Sequence, residues 1–118
     1  MSTLLAVLLA ASLTAPDEGA AVKSPRAKSN LASLIRSGDY PEAAVKAMEQ
    51  GFVHFELAVG ANGRVTACRV TGSSGSASLD TATCTIMVKR ARFVPAHDGG
   101  GAATSGTVRS RIGWFMAP

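Results

Sequence analysis

The sequence predicts an α+β fold: a three-stranded antiparallel sheet, in spatial order 2-1-3, with two helices packed on one face. Alternating apolar residues over 52–59 and 65–71 flank an Asn-Gly turn, a pattern typical of a β-hairpin. A helical pattern over 79–92 precedes a third alternating stretch over 107–116. The length of 118 residues suits one domain, and a hydrophobic content of 47% suffices for a small core.

The first helix is predicted before the hairpin, over residues 40–48. Asp39 can cap it, or Pro41 can occupy its first turn, where a missing backbone N–H costs nothing. Gly51 is expected to end it. The apolar residues of this segment are spaced to form one stripe: Ala44, Val45 and Met48.

The alternation of side chains assigns the faces of the strands. One face of the first strand carries Val53, Phe55, Leu57 and Val59, and one face of the second carries Thr66, Cys68 and Val70. Because the second helix returns the chain, the third strand lies beside the first and antiparallel to it. The third strand is therefore an exposed edge of the sheet, with unpaired N–H and C=O groups.

The second helix carries charges that suit its ends. Ser78 or Asp80 can cap its beginning, and Arg90 lies near the negative end of its dipole. Phe93-Val94-Pro95 stops the helix, and a Gly-rich loop over 98–106 leads to the third strand.

Two cysteines, Cys68 and Cys84, stand on the second strand and on the helix that covers it. They form no C-x-x-C motif, so neither a redox motif nor a zinc knuckle is indicated. Two isolated cysteines in an exported protein usually pair, and the alternative is two buried free thiols. We expect a disulfide.

Residues 1–21 have the character of a secretory signal peptide or short apolar leader. The run LLAVLLAA over 4–11 is shorter than the roughly 20 residues of a membrane span and suits the apolar region of a signal peptide. The alternative is an apolar helix packed on the domain. Residues 22–38 predict a linker, in which Leu31, Leu34 and Ile35 suggest a short helical turn, and residues 39–118 form the domain.

No catalytic or metal-binding set is apparent. His54 and His97 are distant in sequence, the carboxylates are scattered, and two cysteines with two histidines leave little for a metal site. The net charge of +4 and pI of about 9.6 are too weak to indicate nucleic acid binding. We therefore expect no enzyme, no cofactor, no metal and no nucleic acid partner.

A series of short motifs follows in order over about residues 39–115. They are Tyr40-Pro41-x-x-Ala44, Gly51-x-Val53-x-Phe55-x-Leu57-x-Val59, Asn62-Gly63-Arg64-Val65, Val70-x-x-Ser73-Ser74-Gly75, Leu79-Asp80 and Ala91-Arg92-Phe93-x-Pro95-Ala96. This series resembles the C-terminal domain of the TonB energy-transducer family. The resemblance implies a structural role for these motif residues in a small antiparallel sheet covered by two helices.

The resemblance also implies a function in the periplasm. Such a domain binds the TonB box of outer-membrane receptors as a strand added to the last strand of the sheet, in energy-dependent uptake of siderophores, vitamin B12 or similar nutrients. Inner-membrane proton-channel proteins are a further implied partner. The partner-binding residues implied here are Thr107, Val108, Arg109, Ser110, Arg111, Ile112, Gly113, Trp114 and Phe115.

The N-terminal part departs from the family pattern. The family's transducers carry a full membrane anchor and a long Pro-rich spacer, whereas this sequence has a short apolar segment and only about 20 linker residues. Fully extended, such a linker reaches roughly 70 Å. The alternative expectation is a free-standing periplasmic structural or regulatory interaction module without force transduction, which could form a homodimer through the same edge. Cys68 and Cys84 also depart from the commonest family pattern.

Overall fold

The structure is a computed structural model that describes residues 23–117, so the expected signal peptide over 1–21 lies outside the described residues. Two 3-10 turns, Leu31–Leu34 and Ser37–Asp39, precede the first helix. The helices and strands are β1 (Arg26–Ala27), α1 (Glu42–Lys46), β2 (Gly51–Val59), β3 (Val65–Gly72), α2 (Ala77–Arg90), β4 (Phe93–Val94), β5 (Ala96–His97), β6 (Ala103–Thr104) and β7 (Gly106–Trp114). In this part of the chain, no helix is long and apolar enough to cross a membrane.

The central sheet has the order β3-β2-β7, and both pairings are antiparallel. This confirms the predicted α+β class and the predicted strand order. The inward side chains of β2 are buried as predicted: Val53, Phe55, Leu57 and Val59. Helix α2 packs across β3 and β2, and α1 contacts α2.

The turn between β2 and β3 is a three-residue loop closed by the N–H of Gly60, which donates to the carbonyl of Arg64 (2.8 Å). Gly63 has a φ of +83°, and a Cβ there would clash with the carbonyl oxygen of Phe93. Glycine is therefore required at this position both for the backbone conformation and for the close approach of β4.

A β-bulge corrects the predicted face of β3. Val59 pairs with Val65 but Ala58 pairs with Ala67, so Thr66 is an extra residue. The prediction that Thr66 shares the inner face with Cys68 and Val70 is therefore wrong: Val65 is buried, and Thr66 is exposed and donates its hydroxyl to Ala58 (3.2 Å). A second irregularity lies opposite the His54/Phe55 step.

The ends of both helices differ from the predictions. Helix α1 ends at Lys46 and not at Gly51, because Met48 turns into the left-handed region (φ +55°) and is 77% exposed. Helix α2 is capped by Ser76, whose hydroxyl oxygen accepts the N–H of Leu79 (3.2 Å), and not by Ser78 or Asp80. It ends at Arg90.

The carboxylate of Asp80 has a different role from helix capping. It accepts hydrogen bonds from the N–H of Ser74 (3.0 Å) and from the hydroxyl of Ser74 (2.8 Å), and from the hydroxyl of Ser73 (2.5 Å). The Ser-Ser-Gly turn is thereby fastened to the first turn of α2.

A disulfide joins β3 to α2. Cys68 and Cys84 are bonded, with their Cα atoms 5.5 Å apart, and no free cysteine remains among residues 23–117. The disulfide therefore links the sheet to the helix that covers it, as the sequence predicts.

The segment expected to be a linker packs on the domain, against both α2 and β7. Leu31, Leu34 and Ile35 lie against the core, and the 3-10 turn Leu31–Leu34 contacts β7. A guanidinium N–H of Arg90 donates to the carbonyl of Leu34 (2.9 Å). Val108, Ile112 and Trp114 on the inner face of β7 are apolar, and this segment contributes to their cover. It therefore differs from a solvated linker.

Candidate functional site

The candidate site is the free edge of β7. This strand pairs with β2 over nine residue pairs, from Gly51↔Trp114 to Val59↔Gly106, with no register shift. Within residues 23–117, no strand pairs with its other side. All nine residues predicted from the resemblance, Thr107 to Phe115, therefore lie on or directly after one regular edge.

The hairpin determines which backbone groups of β7 point outward. Gly60 directs its N–H to the β3 side, and alternate residues of a strand direct their hydrogen-bonding groups to opposite sides. Phe55 and the other odd-numbered residues of β2 therefore direct their backbone N–H and C=O groups to β7, where Phe55 pairs with Ser110. The N–H and C=O groups left facing outward belong to Thr107, Arg109, Arg111 and Gly113.

The side chains of these outward-facing residues lie on the open face of the sheet. Glu56 of β2 accepts a hydrogen bond from Arg69 on β3 (2.8 Å) and from Arg109 on β7 (3.0 Å). The hydrogen bonds from Arg69 and then Arg109 hold the pKa of Glu56 below its ordinary value. One carboxylate thus links all three strands and is shared between two guanidinium groups.

An aromatic cluster continues this face toward the end of β7. The guanidinium of Arg111 lies 4.3 Å from the ring centre of Phe52, which meets Phe115 edge-on with 5.2 Å between ring centres. Phe52 and Phe115 are 40% and 57% exposed. Gly113 lies under both rings, and a Cβ there would come within 2.8 Å of each. Glycine at this position allows the rings to close over the edge.

Trp114 fixes the end of β7 to the core. It is 2% exposed, and its indole N–H donates to the hydroxyl of Thr83 on α2 (2.8 Å), which in turn donates to the carbonyl of Leu79 (2.8 Å). Its ring meets Tyr40 edge-on at 5.3 Å. The edge strand is therefore held by the sheet on one side and by the covering layer on its inner face.

A groove of about 500 Å³ lies beside this end of the edge. It is lined mostly by Ile35, Arg36, Tyr40, Val45, Trp114 and Phe115. A strand added to β7 would direct alternate side chains to the two faces of the sheet. Side chains on the inner face would meet this groove, and those on the open face would meet Arg109 and Arg111.

The remaining motif residues stabilise the scaffold. Leu79 is buried, Tyr40 donates its hydroxyl to the carbonyl of Glu49, and Phe93 donates its N–H to Gly63 (2.9 Å). A Cβ on Gly51 would lie 2.8 Å from the carbonyl oxygen of Ser74. Residues 23–117 hold no group of three His, Cys, Asp or Glu side chains able to bind a metal.

Sequence reasoning placed Glu56 on the outer face of the first strand but did not identify Phe52 and Glu56 as part of this site. Their alternation with buried residues places them outward, but their pairing with Gly113 and Arg109 depends on the register of β7. That register follows from the path of the chain through β5 and β6, which the sequence indicates only as a Gly-rich loop. The sequence signal that could have identified them is the alternation, in both strands, of residues on the buried face with residues on the open face.

We expect acid to weaken the attachment of the N-terminal segment. Hydrogen bonds from Arg90 (2.6 and 3.0 Å) lower the pKa of Asp39 from 3.8 to about 2. The unfolded chain binds this proton at a higher pH than the folded chain does, so the stabilisation is complete above about pH 5 and is lost as pH falls toward 2.

Urea unfolding of the wild type and Asp39→Asn between pH 2 and pH 6 measures this effect. The difference in the free energy of unfolding should be constant above about pH 5 and shrink toward pH 2. A difference that does not change with pH would contradict the ion pair.

The family model described as Gram-negative bacterial TonB protein C-terminal matches residues 37–114. The matched range includes α1, all three strands of the central sheet, and α2. No curated protein matches the chain.

Proposed function

The chain belongs to the family of Gram-negative bacterial TonB C-terminal domains, and on that premise we propose that it binds the TonB box of outer-membrane receptors as a strand added to β7. TonB C-terminal domains are periplasmic and non-enzymatic, and membership implies TonB-like energy transduction to outer-membrane receptors. The finer proposal includes uptake of scarce nutrients of the siderophore or cobalamin type.

The contrast between the two sheet edges carries the proposal. β3 is the other edge, but two register irregularities interrupt its pairing with β2. Bulges twist an edge and protect it from pairing with a further strand. β7 is regular over nine residues and directs four unpaired backbone units outward. Of the two edges, only β7 therefore offers a peptide strand a continuous row of backbone N–H and C=O groups.

The charges on β7 favour a peptide partner over a second copy of the chain. If two β7 strands paired antiparallel, Arg109 and Arg111 of one copy would lie close to the same residues of the other. Like charges across strands are destabilising. A peptide with acidic side chains on the open face would instead compete with Glu56 for Arg109 and find Arg111 beside it.

Proline at an outward-facing position tests strand addition. Arg111→Pro removes an N–H that points away from β2, so the fold should tolerate it, since edge strands accept proline there. We expect the affinity for a peptide carrying a TonB box to fall about tenfold relative to Arg111→Ala, which lacks the same side chain but keeps the N–H. Peptide titration followed by amide NMR measures both affinities.

Ser110→Pro is the matched control for the fold. It removes an N–H that faces β2, so it should lower the free energy of unfolding more than Arg111→Pro does. Equal peptide affinities for Arg111→Pro and Arg111→Ala would show that the outward N–H of residue 111 makes no bond to the peptide.

Export is proposed from the N-terminal sequence. The apolar run over 4–11 and the small residues that follow it are typical of a secretory signal peptide. N-terminal sequencing of the protein from a periplasmic extract should find a start near Ala21. An intact Met1 in the membrane fraction would contradict cleavage.

A further inference from the structure

Backbone pairing, together with one hydrogen bond from the side chain of Arg92, gathers six basic residues that take no part in the β7 edge. We call them the basic strip: Lys23, Arg26, Lys28, Arg64, Lys89 and Arg92. The pairing of β1 with β4 places Arg26 opposite Val94. Lys23 forms an isolated β-bridge with His97, so the first basic residue lies beside β5.

Arg92 connects the other members of the basic strip. Its carbonyl accepts the N–H of Lys28 (2.9 Å), and its backbone forms an isolated β-bridge with Arg64. Its guanidinium donates to the carbonyl of Lys89 (3.1 Å). Residues from three separate parts of the sequence, 23–28, 64 and 89–92, therefore meet.

Little negative charge lies near the basic strip in the described part of the chain. Three carboxylates in the described part of the chain form ion pairs, and all of them pair with basic residues outside the strip: Asp39, Glu42 and Glu56. Asp98 lies beside Lys23 and Arg26, but its carboxylate accepts the N–H groups of Gly100 (2.9 Å) and Ala102 (3.0 Å). Five of the six basic residues are exposed, and Arg92 is half-buried.

A cleft of about 520 Å³ opens at the β1 end of the basic strip. Lys23, Arg26, His97 and Asp98 line it together with the backbone of Gly99 and Gly101. It combines cationic side chains with apolar atoms of Val94 and Pro95. A phosphate headgroup with part of its glycerol fits within this volume, and the cationic side chains of Lys23 and Arg26 suit its charge.

We propose that the basic strip docks this domain onto a bilayer that contains anionic phospholipids. A planar array of phosphates can engage several separated cations at once, and each basic residue near such a surface contributes about 1 kcal/mol, or fivefold in affinity.

The test uses the full chain and vesicles of phosphatidylcholine alone or with one third phosphatidylglycerol. Lys28→Ser, Arg64→Ser and Lys89→Ser are combined in one variant, because these side chains are exposed. At about fivefold per charge, its partition onto the anionic vesicles should fall roughly a hundredfold. Added salt should weaken the binding of the wild type.

The control variant removes the same number of charges elsewhere by combining Arg36→Ser, Lys46→Ser and Arg69→Ser. Its partition onto the anionic vesicles should fall less than fivefold. Equal losses in the two variants would show a general charge effect and overturn the proposal. So would equal partition of the wild type onto both kinds of vesicle.

Two further measurements distinguish membrane docking from binding to an acidic protein and from a loss of folding. Binding of polyglutamate without binding of anionic vesicles would assign the basic strip to an acidic protein and overturn the membrane proposal. Far-UV circular dichroism of both variants checks the fold. Because no residue of β7 belongs to the strip, affinity for a TonB-box peptide should be unchanged in the strip variant, whether or not the vesicle result holds.

Discussion

Trp114→Ala is expected to lower the free energy of unfolding by about 3–5 kcal/mol, the range for removal of a large buried aromatic side chain. The substitution empties the space between Tyr40 and α2 and removes the hydrogen bond to Thr83. It also removes the side chain that holds the end of β7 on its inner face. Urea unfolding followed by far-UV circular dichroism measures the loss, since Trp114 is the only tryptophan and fluorescence is lost with it.

Trp114→Phe is the matched control. It keeps an aromatic ring against Tyr40 but lacks the indole N–H, so we expect a smaller loss, of about 1–2 kcal/mol. The hydroxyl of Thr83 keeps its bond to Leu79 in both variants, so no buried donor is left unpaired. A loss below about 1 kcal/mol for Trp114→Ala would show that the covering layer does not depend on this residue.

Removal of the disulfide is expected to cost about 3 kcal/mol, because the bond closes a loop of 16 positions in the unfolded chain. The double variant Cys68→Ser/Cys84→Ser and the reduced wild type should lose similar amounts. Urea unfolding with and without reductant measures both.

The double serine variant provides the internal control for the disulfide. Reductant should not change its unfolding, since it has no bond to break. Two alkylated cysteines in the unreduced wild type, seen by intact mass, would contradict the disulfide.

The order of the sheet was predictable because it depends on local patterns. Alternation over β2, the turn at Asn62-Gly63 and the return of the chain through α2 leave one simple arrangement. The resemblance to the family added the function implied for β7. The disulfide was predictable from the compartment and from the positions of Cys68 and Cys84 on neighbouring layers.

The features that were not predictable depend on contacts between distant residues. Thr66 continues the alternation of β3, and only the pairing with β2 shows that it is the extra residue of a bulge. Ser76, Ser78 and Asp80 are all good capping residues, and the Ser-Ser-Gly turn determines that Ser76 caps α2. The packing of Leu31 and its neighbours depends on the uncovered face of β7.

The two sides of β7 differ in their backbone pairing, and the proposed function depends on that difference. Pairing with β2 uses the N–H groups of Val108, Ser110 and Ile112, and leaves the alternate N–H groups facing outward. The second edge, β3, is interrupted by two irregularities. Any regular strand added to this sheet is therefore expected at β7.

Residue-resolved amide hydrogen exchange, with and without a peptide carrying a TonB box, tests this claim most directly. We predict that Val108, Ser110 and Ile112 are protected without peptide, and that the peptide protects the alternate amides: Thr107, Arg109, Arg111 and Gly113. New protection along β3, or none along β7 at saturating peptide, would contradict strand addition to this edge.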